Sequence, residues 1–229
     1  MRVFCISDLH LPGNADKPMD IFGPQWENHW DKIQRNWRGV VDDEDCVLIP
    51  GDISWAMKLE DAIGDLEEIG QLPGRKIMVR GNHDFWWSSI SKVRRVLPPS
   101  IYALQNDSVK IGRVGFCGTR GWIAPGSKDY TTHDQKIFDR EVNRLRLSLN
   151  SVKEVEYIIV LLHYPPFNDK GEPTEICKLM GQYPVKHVVY GHLHGESSAG
   201  RVEGEIDGIW YHLTSCDFLN FCPKIVTKI

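Results

Sequence analysis

Short apolar runs recur along this chain: "RVFCI" (2–6), "CVLI" (46–49), "KIMV" (76–79), "RVGFC" (113–117), "YIIVLL" (157–162) and "HVVY" (187–190). Each has the length of a strand and is rich in β-branched residues, and most are bounded by glycine, proline or aspartate, the punctuation of strands. Between them the period changes. Leu59, Ala62, Ile63, Leu66 and Ile69 recur at three- and four-residue steps, one face of an amphipathic helix. Phe138, Val142, Leu145 and Leu149 repeat that pattern, with Thr132 and Gln135 as a capping-box signature just upstream. Strands alternating with helices predict an α/β protein whose strands are buried on both faces. The last third differs, because "GEIDGIWYHLTS" and "PKIVTKI" read as antiparallel strands joined by turns, so the sheets are expected to be mixed. With no internal repeat and no low-complexity linker, residues 1–229 read as a single domain.

Two segments are too irregular for core, residues 11–26 ("LPGNADKPMDIFGPQW") and 119–132 ("TRGWIAPGSKDYTT"). Both follow directly on strands, and long loops in compact domains usually serve function. The second, with Trp122, Pro125 and Gly126, is expected to lie as a lid over the strand ends.

Composition narrows the function. A hydrophobic fraction of 41% over 229 residues can bury a sizeable core. A net charge of −4 and no basic stripe weigh against nucleic acid as a partner, and "KVRR" (92–95) reads as a solvated helix face. The longest apolar run, "YIIVLL", is far too short to cross a bilayer, and Asp8 and His10 interrupt any leader-like stretch. The six cysteines form no C-x-x-C pair, and Cys5, Cys46 and Cys117 fall inside strand-like runs, as expected of a reduced, cytoplasmic protein.

The candidate chemistry stands at the carboxyl ends of the strands, where open α/β sheets bind ligands. Asp8 and His10 follow the first run, Gly51-Asp52 the second, Gly81-Asn82-His83-Asp84 the third, His163 "YIIVLL", and Gly191-His192-Leu193-His194 "HVVY". In extended chain, residues two apart point the same way, so Asp8 with His10 and His192 with His194 are expected to converge. Carboxylate and imidazole donors without thiolate suit divalent manganese, iron or zinc and argue against calcium. The donors are too many for one tetrahedral ion and fit two metals sharing a carboxylate. Two divalent cations against Asp8 and Asp52 leave a positive surplus that can hold hydroxide and a phosphoryl oxygen together.

In order and spacing these blocks resemble the calcineurin-like metallophosphoesterases, which read D-x-H, G-D, G-N-H-[DE], H and G-H-x-H, over residues 8–194. The resemblance implies a four-layer α-β-β-α sandwich of two mixed β-sheets flanked by helices. It implies a phosphatase or phosphodiesterase in which a metal-bound hydroxide attacks a small-molecule or nucleotide-like phosphate ester in line. Carried onto this chain, Asp8, His10 and His194 would bind one metal, Asn82, His163 and His192 the other, and Asp52 would bridge them. His83 would contact the phosphate or protonate the leaving oxygen. One position departs from the pattern: many members read G-D-x-x-D, whose last aspartate orients the catalytic histidine, and "GDISW" puts Trp55 there. Asp84 is the candidate to take its part.

Other readings are weaker. A non-catalytic protein-binding relative would be expected to have lost ligands, and none is missing. A metallo-β-lactamase type of site needs H-x-H-x-D-H, which "HLHGES" does not supply. Arg80 and Arg120 either clamp a phosphate or pair structurally. Trp55, Trp86, Trp87 and Trp122 either pack the loops or stack a planar substrate group. His29, His133, His187 and His212 read as surface or core.

Overall fold

The computed structural model describes residues 1–14 and 17–229; Ala15 and Asp16, within the first irregular segment, lie outside the described residues. The elements run β1 (Arg2–Cys5), α1 (His29–Val40), β2 (Cys46–Pro50), α2 (Leu59–Gly70), β3 (Arg75–Val79), α3 (Ile90–Val96), β4 (Ile101–Ala103), β5 (Ser108–Ile111) and β6 (Val114–Thr119). They continue with α4 (Thr132–Ser151), β7 (Tyr157–Leu162), α5 (Glu175–Met180), β8 (Val185–Tyr190), β9 (Gly204–Ile206), β10 (Ile209–Leu213) and β11 (Lys224–Lys228). One sheet has the order β11-β1-β2-β3-β4, the other β5-β6-β7-β8-β10-β9. Neighbours pair in parallel within β1 to β4 and from β6 through β8 to β10. The outer strands β11, β5 and β9 pair antiparallel, so both sheets are mixed, as the C-terminal pattern predicts.

The layering follows from the two-residue period of a strand. In β1, Val3 and Cys5 point to the space between the sheets while Phe4 packs with the helices on the far side. In β7, Ile159 and Leu161 join that central layer and Ile158, Val160 and Leu162 face outward. Each outward face is closed by amphipathic helices: Ile33 and Trp37 of α1, Ala62, Leu66 and Ile69 of α2 and Val93 of α3 cover the first sheet. Phe138, Val142, Leu145 and Leu149 of α4, with Ile176 and Leu179 of α5, cover the second. The result is the four-layer α-β-β-α sandwich. Leu161, fully buried between the sheets, is a position where truncation to alanine costs about 2–5 kcal/mol.

The cap of α4 lies one residue earlier than the sequence signature. Thr131 and Asp134 form the reciprocal box, and Asp134 also accepts the Trp122 indole N–H at 2.8 Å. Gln135 instead accepts from the Tyr130 hydroxyl at 2.6 Å. A shorter acid that serves both helix and loop displaces the longer amide. The six cysteines are free, and burial pushes the thiols of Cys5, Cys46 and Cys117 up to about 12. No described helix is long and apolar enough to cross a membrane.

Candidate metal centre

Backbone pairing carries the strand ends into one another. Beyond β1, the amides of Asp8, His10 and Leu11 donate to the carbonyls of Gly51, Asp52 and Ile53 beyond β2. The expected extended geometry is not what converges the donors. Asp8 (φ 59°), His10 (φ 47°), Asp52 (φ 52°) and His192 (φ 73°) stand in the left-handed region, at about 1–3 kcal/mol each for non-glycine residues. Such strain, held in place by the surrounding pairing, gathers where function needs it. His192 and His194 consequently part: His194 faces Asp8, and His192 faces Asn82. Two glycines make room for this. A Cβ on Gly81 would overlap the Asp52 carboxylate, and one on Gly191 the Asp8 carboxylate.

Asp8, His10 and His194 each bring a donor atom within 4.8 Å of the others', as do Asp8, Asp52 and His163. The same oxygen of Asp52, Oδ2, lies 3.9 Å from His10 Nε2 and 3.5 Å from His163 Nε2. Asn82 Oδ1 is 2.6 Å from His163 Nε2 and 2.9 Å from His192 Nδ1. His163 Nδ1 donates to the Pro50 carbonyl at 3.0 Å, which fixes the proton there and leaves a lone pair on Nε2. That lone pair meets the carbonyl oxygen of Asn82, an arrangement that repels unless a cation is shared. His194 Nδ1 donates to Asp217 at 2.8 Å and turns Nε2 to Asp8 Oδ1 at 3.3 Å, the carboxylate–histidine geometry typical of metal ligands. His10 Nδ1 is buried without a hydrogen-bond partner.

The electrostatics agree. Burial pushes His163 down to about 3 and His192 to about 4, so both present neutral rings. Burial, with Asp8 and Asp84 beside it, raises Asp52 well above the usual carboxylate range. Burial would also raise Asp8, but His194, His163 and His10 outweigh it and hold Asp8 low. For His194, burial is overcome by Asp8 and Asp217, which lift it to about 10. Two buried carboxylates and four donor imidazoles, three of them held low by burial, share too little positive charge, and divalent cations would supply what is lacking. The residues present fit such ions.

The remaining predicted residues are placed as follows. The His83 amide donates to Asp52 Oδ1 at 2.8 Å, and its half-buried ring packs against Trp55 (4.5 Å between centroids) and more distantly Phe85 (6.4 Å). Asp84 is fully buried and does not hydrogen-bond that ring. It accepts from the amides of Ile53, Ser54 and Gly81 and from the Trp86 indole, so it orders the backbone that presents Asp52 and Asn82. Trp55 stacks on His10 at 4.8 Å and 17°. Trp86 and Trp87 are buried core. His29 is also core, its Nε2 2.9 Å from the Leu9 carbonyl.

A cavity of about 340 Å³ opens above the donors, walled by Met19, Phe22, Trp26 and Trp55. Its cover is therefore the first irregular segment. The second, expected as the lid, lines an adjoining hollow that shares His192 with that cavity and runs past Tyr164 and Leu193. Neither Arg80 nor Arg120 lines the cavity over the donors. Asp217 was missed in the sequence, although it stands just past β10 and the strand-end rule that found the other donors would have flagged it. Ser7 and Thr214, which hydrogen-bond in series to Asp8, carry no such signal.

Two facing mixed sheets that gather aspartates, an asparagine and histidines at their carboxyl edges define a metal-dependent phosphoester hydrolase. The chain belongs to the calcineurin-like phosphoesterase family, whose model matches residues 1–196. Among curated proteins none matches. Among solved structures the chain is similar to phosphopantetheinyl hydrolase (PptH) from Mycobacterium tuberculosis, with TM-score 0.62, 13% identity and coverage of 100% of this chain and 96% of that one. It is also similar to a protein of unknown function, AQ665, from Aquifex aeolicus, with TM-score 0.51, 15% identity and coverage of 98% and 95%. At these identities the likeness is one of fold.

Proposed function

We propose that the centre holds two divalent cations, manganese, iron or zinc, and hydrolyses a phosphate ester whose leaving group is apolar or planar. Asp8, His10 and His194 hold one ion, Asn82, His163 and His192 the other, and Asp52 bridges. The observation that carries this reading is the Asp52 oxygen facing a ring nitrogen of each ligand set. When bound, such ions lower the pKa of water and polarise phosphoryl oxygens. The chain's own residues do the rest. Asp8 and Asp52 neutralise part of the charge and leave a surplus for the substrate. Asp217 and the Pro50 carbonyl fix the tautomers of His194 and His163. His83 stands at the cavity wall where a leaving oxygen can receive a hydrogen bond. The apolar wall of Met19, Phe22, Trp26 and Trp55 suits the rest of the ester and excludes water around it.

Asp52→Asn tests the assignment. Metal content, by elemental analysis of gently purified protein, is expected to fall and turnover of an aryl phosphate ester to be abolished, with circular dichroism unchanged. Two retained metals with near-normal turnover would overturn it.

A further inference from the structure

Arg80 and Arg120, offered by the sequence as phosphate clamps, meet elsewhere. Arg80 follows β3, Arg120 follows β6, and with Arg144 of α4 they surround a separate cavity of about 140 Å³ completed by Ser88, Gln105 and Asn106. Among the described residues no carboxylate lines it and no residue of the metal centre does. The acid that pairs with these arginines is the buried Glu141, whose Oε1 is 2.9 Å from Arg144 Nη1 and 3.7 Å from Arg120 Nη2. Its other oxygen accepts from the Thr119 hydroxyl at 2.5 Å. Arg80 spends its Nε on the Asp84 carbonyl at 3.2 Å. Arg120 Nε is buried and has no hydrogen-bond partner. Three guanidiniums against one carboxylate leave two positive charges at a polar hollow, in a chain whose net charge is −4.

We propose that this cavity binds a phosphate-sized oxyanion, separately from the metal centre. Guanidinium is suited to this because its planar fork matches tetrahedral oxyanions bidentately. The volume lies below the about 300–1,000 Å³ of pockets that take whole organic ligands, so one oxyanion fits and an entire ester does not. The site is joined to the catalytic segments: the Arg120 carbonyl accepts from the amides of His163 and Tyr164 at 3.0 and 2.9 Å, and Arg80 holds the carbonyl of Asp84. An anion here braces both segments. Its source is either free orthophosphate, the product of monoester hydrolysis, or a second phosphoryl group carried by the substrate.

Equilibrium dialysis of the full-length, metal-loaded protein against labelled orthophosphate tests the site without relying on turnover. Wild type is expected to bind phosphate in two classes, one lost in Asp52→Asn and the other in Arg120→Gln. Arg120→Gln should weaken that second class roughly 10- to 100-fold, the usual effect of losing charged hydrogen bonds, at unchanged metal content. Arg144→Gln, on the exposed side of α4, repeats the test should Arg120→Gln fail to fold. Loss of orthophosphate inhibition in the variants identifies free phosphate as the source. A KM increase confined to esters that carry a second phosphate identifies the substrate. Wild-type phosphate binding in both arginine variants would overturn the proposal.

Discussion

Asp217 offers the most discriminating test of how the centre is built, because it acts on His194 in two opposing ways. Its Oδ1 accepts from His194 Nδ1 at 2.8 Å and its Oδ2 from the Gly195 amide at 3.0 Å, so it aims the ring at Asp8. It also helps Asp8 to lift His194 to about 10, against the effect of burial. Replacing Asp217 with asparagine keeps an acceptor for Nδ1 but removes the charge. Loss of a partner behind a metal ligand typically costs 10- to 100-fold in affinity, about 1.4–2.8 kcal/mol. The protonation term has the other sign. Because the folded metal-free protein holds a proton on His194 below about pH 10, a cation that binds near pH 7 must displace it, at a cost of about 4 kcal/mol. Without the Asp217 charge His194 titrates lower, and that cost shrinks. The deficit of Asp217→Asn is therefore expected to be largest near pH 9 and to narrow toward pH 7, since wild-type affinity falls faster as pH drops. Competition titration of manganese or zinc against a chromophoric chelator, at several pH values, measures this directly. Wild-type affinity in the variant near pH 9, or a deficit that does not change with pH, would refute the reasoning.

Two further outcomes follow from the cavity. His83→Asn should cost much more with an alkyl phosphate than with p-nitrophenyl phosphate if His83 serves the leaving oxygen, because general acid help is worth about 10²–10⁴-fold only where the leaving group needs it; equal losses on both in steady-state assays would reassign His83 to the phosphoryl group. Phe22→Ala should raise KM for a naphthyl ester by about 10-fold or more while leaving a glycerol ester nearly unchanged, since burying an aromatic side chain's worth of surface contributes about 1.5–3 kcal/mol; parallel changes on both esters would show that this side chain holds the centre together instead.

The layers were legible in the sequence because the inner strands are mostly apolar and buried on both faces, Lys76 of β3 and Lys186 and His187 of β8 being exceptions. "YIIVLL" marks β7 to the residue. The elements that escaped notice lack that contrast. β4 is three residues long, and β5, SVKI, is a half-exposed edge strand. The helix α1 buries only His29, Ile33 and Trp37 among polar neighbours, so its apolar stripe is one residue wide. The donors were legible for a different reason: each stands where a strand ends, and topology brings those ends to one rim. What the sequence could not carry is backbone conformation. Left-handed Asp8, His10, Asp52 and His192 divide the donors between two groups, a division that extended chain does not produce. The second irregular segment flanks the centre on the His192 side, with Trp122 tied to α4 through Asp134, while Phe22 and Trp26, which wall the cavity above the donors, carry no motif to mark them.

The departure at Trp55 shows how one substitution redistributes roles around the centre. Where the family pattern sets an aspartate to orient the histidine, this chain sets an indole that stacks on His10 and packs against His83. Lys17 in turn lies 4.3 Å over the Trp55 ring, a cation–π contact that helps hold the indole. Asp84 does not fill the vacancy, since its oxygens are committed to three backbone amides and the Trp86 indole. His83 is thereby held by packing rather than by a carboxylate, and the wall that holds it is the same apolar wall proposed for the ester. Orientation of the histidine and selection of the leaving group thus rest on one side chain. On this reading Trp55→Ala loosens both at once, whereas Phe22→Ala affects selection alone, so the ratio of their effects on turnover separates the two roles.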